Sequence, residues 1–180
     1  MFAPITALFA ATALLPGLAS ATVLSGSGTI SVLNSSSFTT ATPDMNIGCV
    51  DATGKLVVDE CATFTFRDTY PYGVSTSAGN CSFTNSSQQA NTDSHYGANS
   101  YAWSCWPHEA AVTDQLYTID GMAYNFLCQG DTDCYYDIPS APSGVSQQLP
   151  VWRFTWGSAQ PGITPGHLKT LFLWEPTSSS

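Results

Sequence analysis

The sequence predicts an all-β protein, an antiparallel β-sandwich or small β-barrel stapled by three disulfides. Three observations lead there. Short apolar runs recur along the chain, and none keeps the 3.6-residue period of a helix. Gly, Pro, Asn and Asp punctuate those runs at short intervals. Six cysteines follow an apolar leader, an even count of the kind that forms disulfides in an oxidising compartment.

The elements follow in chain order. "GTISVL" (28–33) alternates and predicts a first strand. "KLVVDE" (55–60) follows a turn at Ala52-Thr53-Gly54 and predicts the return arm of a hairpin. "ATFTF" (62–66) sets Phe64 and Phe66 on one face and Thr63 and Thr65 on the other. "LYTIDGMAYNFL" (116–127) has Asp120-Gly121 between two apolar runs, a strong hairpin signal. "VWRFTW" (151–156) predicts a strand with Trp152, Phe154 and Trp156 in one stripe, and "HLKTLFLW" (167–174) predicts the closing strand. Two stretches, 84–100 and 138–150, are rich in Ser, Asn, Gln and Pro and read as loops. Neither repeat nor second core-sized unit is evident, so 22–180 is expected to form one domain.

Residues 1–21, "MFAPITALFAATALLPGLASA", are apolar and uncharged, break at Pro16-Gly17, and end with Ala19 and Ala21 at the spacing of a signal-peptidase site. A removed signal peptide and a secreted, extracellular domain are the expectation. The polar end "EPTSSS" lacks the pattern of a lipid anchor. The sequons at Asn34 and Asn85 predict a glycoprotein, whereas the one at Asn80 is compromised by Cys81 in its middle position.

Four basic residues oppose thirteen acidic ones, for a net charge of −9. Such a chain repels phosphate backbones and anionic lipid, so no nucleic-acid partner and no membrane insertion are expected, and mutual repulsion predicts a monomer. Charged residues make up only 9% of the chain while aromatics make up 12%, so hydroxyls and amides must form much of the surface around a real core.

Catalytic signatures are missing from the sequence. It has no Gly-x-Ser-x-Gly elbow, Walker loop, dinucleotide fingerprint or His-Glu-x-x-His. Thr22 at the expected mature end is not the His of a copper brace, and with all cysteines paired no thiol nucleophile remains. His108 neighbours Glu109, but adjacent residues on a strand point to opposite faces. His95, His108 and His167 lack metal-ligand spacing, so no metal and no cofactor are expected. In "CQGDTDCYYD" (128–137), Asp131, Asp133 and Asp137 lie close, yet a later Glu and the required Gly are missing, so an acidic turn is expected rather than a Ca²⁺ loop. Glu60, Glu109, Glu175 and ten Asp leave a carboxylate-pair hydrolase open, with nothing marking a pair. The candidate binding residues are aromatic: Tyr70 and Tyr72 in a turn, and Trp152 and Trp156 in the stripe.

One longer pattern remains. Gly48-Cys49, Gly54, Cys61-Ala62-Thr63-Phe64, Ser77-Ala78-Gly79-Asn80-Cys81 and Trp103-Ser104-Cys105 occur in that order over roughly residues 46–105, about a third of the chain. This resembles the small β-rich C-terminal extension domain of fungal ribonuclease T-two-like proteins and related small secreted cysteine-rich fungal proteins. The resemblance implies a barrel-like unit and a fungal secreted origin. It does not imply ribonuclease activity, because the paired histidine elements are absent: Trp106-Pro107-His108-Glu109 holds only fragments of them. Together with local spacing it suggests the pairs Cys49–Cys61, Cys81–Cys105 and Cys128–Cys134. The expected function is non-catalytic recognition outside the cell, as an effector or elicitor of plant cell death or immunity, a virulence role, with a host surface protein as partner. The alternatives are a module that binds wall glycan and a small secreted hydrolase.

Overall fold

The computed structural model describes residues 24–129 and 134–177. The expected leader (1–21) and the acidic residues Asp131 and Asp133 lie outside these. The fold is all-β, with twelve strands in one antiparallel sheet among the described residues.

Its spine pairs the two ends of the domain. Strand β1 (Ser27–Leu33) runs antiparallel to β12 (Leu168–Pro176), from Gly28 opposite Pro176 to Leu33 opposite Leu171. Gly28 permits this approach, since a Cβ there would lie 2.6 Å from the Glu175 carbonyl oxygen and 2.7 Å from the Trp174 ring. The outer edge of each spine strand is shared by two neighbours. Along β1, β4 (Phe64–Arg67) takes Ser27 and Gly28, and β2 (Asn46–Val50) takes Ser31 to Leu33. Along β12, β10 (Tyr136–Ile138) takes Leu168 to Thr170, and β9 (Phe126–Gln129) takes Phe172 and Leu173.

From β4 the sheet continues through β5 (Gly73–Thr76), β6 (Gly79–Ser82) and β7 (Ser104–Trp106); beyond β10 lies β11 (Trp152–Arg153). The two ends of this path meet. The Trp103 amide, just before β7, donates to the Val151 carbonyl, just before β11, at 2.7 Å. Leu56 in β3 (Leu56–Val57) exchanges both backbone bonds with Leu149 beside that junction. These bonds draw the two ends of the sheet together in a barrel-like way.

The hairpin expected around Ala52-Thr53-Gly54 forms between β2 and β3. Asp51 Oδ1 accepts from the Thr53 and Lys55 amides at 2.8 and 2.9 Å and from the Thr53 hydroxyl at 2.9 Å, and Gly54 takes φ +95° to complete the turn. The second expected hairpin also forms, but more loosely. β8 (Leu116–Thr118) pairs β9 with Thr118 opposite Leu127, so the connection is longer than a two-residue Asp120-Gly121 turn. Met122 and Tyr124 from this loop pack on Leu33, Phe126, Leu171 and Leu173, and that burial sets the longer register.

Two apolar clusters clasp the spine. Ile30, Val32, Phe172 and Trp174 join Phe64, Trp103 and Tyr136 on one side, while Leu33, Leu171 and Leu173 meet Ala41 and Phe126 on the other. Burial on both faces explains why Leu171–Trp174 is a continuous apolar run. Phe172 stacks on Tyr136 with centroids 3.8 Å apart, and Trp103 tilts against Phe83 at 4.8 Å.

The disulfides are Cys49–Cys61, Cys81–Cys105 and Cys128–Cys134, as the spacing and the resemblance suggest. The second joins residues directly opposite on β6 and β7 and closes a separation of 24 residues. Replacing both with alanine is expected to lower stability by about 3 kcal/mol, since the unfolded chain regains loop freedom. Urea unfolding of Cys81→Ala/Cys105→Ala checks this; an unchanged midpoint contradicts it.

Candidate functional site

The four aromatic candidates separate into two groups. Tyr70 and Tyr72 sit in the connection from β4 to β5, at 65% and 43% exposure, with Tyr72 stacked on Phe66 and Tyr70 set edge-on to Tyr72. Trp156 is also 65% exposed. Trp152 corrects the expected stripe. It is buried, its indole N–H donates to the Gln89 carbonyl at 2.9 Å, and its ring stacks on His167. The stripe breaks because β11 pairs for only two residues; the chain then turns at Gly157–Gln160. Trp152 is core and presents no stacking face.

The histidines are less isolated than their spacing implies. His108 is not oriented by Glu109, as expected, but its Nε2 lies 3.1 Å from Asp114 Oδ2 and its Nδ1 3.0 Å from the Trp106 carbonyl. A short 3-10 turn, Val112–Asp114, brings that carboxylate back, and Asp114 Oδ2 also accepts from the Ala111 amide at 2.8 Å. Asp137 is a second correction. Rather than joining an acidic turn, it sits buried on β10, 2.6 Å from His167 Nδ1 and 3.0 Å from Asn91 Nδ2, and accepts from the Thr164 hydroxyl. His167 Nε2 faces Asp93 at 3.6 Å. Three of the four ring nitrogens of His108 and His167 thus lie within hydrogen-bond distance of a protein oxygen, and the fourth, His167 Nε2, lies beyond it. Among the described residues no group of three metal-ligating side chains occurs.

This network has a structural consequence. Gln160 Oε1 accepts from the His95 amide at 2.6 Å and the Ser94 hydroxyl at 3.2 Å, and the Tyr96 hydroxyl accepts from the Ala159 amide at 2.9 Å. Gly157 leaves space for Tyr96, because a Cβ there would lie 2.5 Å from its hydroxyl. The 91–101 loop is therefore pinned to the 157–167 segment, and it forms one wall of a groove.

The groove, of about 1110 Å³, opens between that loop, the 112–117 segment and the strand ends at Phe83, Gln129 and Arg153. Four rings line it: Phe83, Tyr96, Tyr101 and Tyr117. The amides of Asn99, Gln115 and Gln129, with the Ser100 hydroxyl, supply polar groups. Gln129 is buried, and its Nε2 donates to the Thr113 carbonyl at 2.9 Å, which fixes the amide; its Oε1 has no hydrogen-bond partner, nor has the buried Ser100 Oγ. A buried polar group left without a partner costs about 1–3 kcal/mol, and the fold itself satisfies neither of these two atoms. Arg153 is engaged within the fold. Among the described residues, no Asp, Glu, His or Cys lines it.

The other cations are engaged as well. Lys55 Nζ donates to Gln88 Oε1 at 2.6 Å, and burial lowers its pKa against the opposing pull of Asp51. Arg67 donates to the Pro71 carbonyl and to Asn80 Oδ1. Lys169 lies 3.7 Å from the Tyr135 centroid and 4.4 Å from that of Phe154, and burial lowers its pKa and raises that of Tyr135. Asn80 also donates to the His108 carbonyl at 2.6 Å, so its amide is held within the fold, while Asn34 is exposed after β1.

Sequence reasoning found the exposed tyrosines and Trp156 but not the groove, whose walls come from five separated segments. Among the described residues no helix is long and apolar enough to cross a membrane. No protein-family model, curated protein or solved structure matches the chain.

Proposed function

We propose that this chain is a secreted protein that acts outside the cell by recognition and not by bond-making catalysis. The observation that carries this reading is the groove itself: rings, amides and hydroxyls line it, and among the described residues no carboxylate, imidazole or thiol does so to transfer protons or attack. Glu60 and Glu109 are exposed outside it, and Glu175 accepts from the Ser31 hydroxyl across the spine, so none of the three glutamates lines the groove.

The setting is an oxidising compartment, reached through removal of the 1–21 leader, with glycans on Asn34 and Asn85. Three disulfides and the likeness of 46–105 to small secreted fungal domains support it. The acidic surface and the engaged cations argue against nucleic-acid binding and favour a monomer. Within this reading the protein is a fungal effector or elicitor of plant cell death or immunity. The exposed Tyr70, Tyr72 and Trp156 favour a second form of it, a wall-glycan module.

Leaf infiltration scored for cell death and immune signalling tests the proposal. Wild type and the single variants His95→Ala and His108→Gln, each folded by circular dichroism, are expected to act alike, because no chemical step depends on imidazole. A folded variant without activity overturns the reading in favour of an enzyme.

A further inference from the structure

We propose that the groove between the 96–101 loop and the 112–117 segment is a binding site for a neutral oligosaccharide. This deepens the recognition reading and rests on it. Three features point to that ligand class. First, the rings of Tyr96, Tyr101 and Tyr117 sit with amides and hydroxyls in one concave wall, which suits a ligand with apolar ring faces and hydroxyl edges. Second, Gln129 Oε1 and Ser100 Oγ are buried without partners. The Gln129 amide is held by Thr113, so its oxygen is a fixed acceptor, and the Ser100 hydroxyl both donates and accepts. Neither atom has surface open to water in the free protein, so a sugar hydroxyl, which both donates and accepts, meets them only as the wall adjusts to admit it. Third, the described lining residues include no carboxylate for a cationic ligand, their one guanidinium is engaged within the fold, and the chain's −9 charge disfavours an anionic one. A volume of about 1110 Å³ exceeds what a single sugar fills and suits a short stretch of chain.

The site is distinct from the exposed Tyr70 and Tyr72, which do not line it. That separation makes the test specific. Isothermal titration calorimetry of the full secreted protein would use four neutral probes: laminarihexaose, chitohexaose, xylohexaose and maltohexaose. Saturable binding of at least one is expected. Tyr101→Ala is expected to weaken it about tenfold, and Tyr70→Ala to leave it unchanged. Ser100→Ala removes a hydroxyl without a partner in the fold, so it keeps the wild-type melting temperature yet binds more weakly. The inference is overturned if none of the four binds, or if Tyr70→Ala abolishes binding while Tyr101→Ala and Ser100→Ala do not change it. In the first case leaf activity still stands and the recognition reading survives. Release of shorter sugars from a bound hexaose supports the groove as a glycan site and overturns the non-catalytic reading instead.

Discussion

Asp137→Ala is expected to lower unfolding stability by about 3–5 kcal/mol, because it strands the buried partners of a carboxylate. Asp137 is 2% exposed and receives His167, Asn91 and Thr164, which come from two loops far apart in sequence. Without the carboxylate those donors lose their acceptor in a site that water does not readily reach. Asp137→Asn keeps the shape but swaps an acceptor for a donor facing Asn91 and Thr164, so it too is expected to destabilise. The effect reaches the groove, since the same segments pin the loop that carries Tyr96. Urea unfolding of Asp137→Ala, His167→Gln and the double variant measures the coupling directly. A loss below about 1 kcal/mol in the first, or additive losses, would show that the network contributes little.

Trp103→Ala is expected to cost about 3–5 kcal/mol, the range for removing a large aromatic from a packed core. Its side chain is fully buried against Phe83 and Phe172. Its backbone also closes the sheet through Val151, so the cavity would open at the seam of the barrel. Trp103→Phe is expected to be much milder. The indole N–H is buried without a partner, and phenylalanine removes that unmet donor along with some contact area. Denaturation midpoints for the two variants check the contrast; equal losses would mean that the N–H is satisfied in solution.

How much of this was legible beforehand follows from sequence distance. "GTISVL", "ATFTF" and "HLKTLFLW" announce strands because each needs only its own alternation or apolar run. The three disulfides join nearest neighbours among the cysteines, so spacing and a local resemblance were enough. The Asp51 turn was readable because its hydrogen bonds span four residues at most. The Asp120-Gly121 turn was readable in kind, but its length was not, because the packing of Met122 and Tyr124 on distant residues decides it.

Tertiary structure alone decided the rest. The barrel-like approach of the two sheet ends turns on Trp103 meeting Val151, 48 residues on, and no local pattern encodes that bond. Trp152 and Trp156 have the same residue type and the same strand parity, yet one is core and the other exposed, because β11 ends after Arg153. Asp137 looked like part of an acidic turn because Asp131 and Asp133 are its sequence neighbours, whereas its partners lie 27, 30 and 46 residues away. The groove assembles single residues from loops and strand ends that carry no shared motif. Composition and short-range periodicity therefore determine that this chain is a stapled, acidic β-protein. Which side chains meet, and so what it can hold, is settled by long-range closure, where the contacts that lower the free energy are made between segments that do not see each other in the sequence.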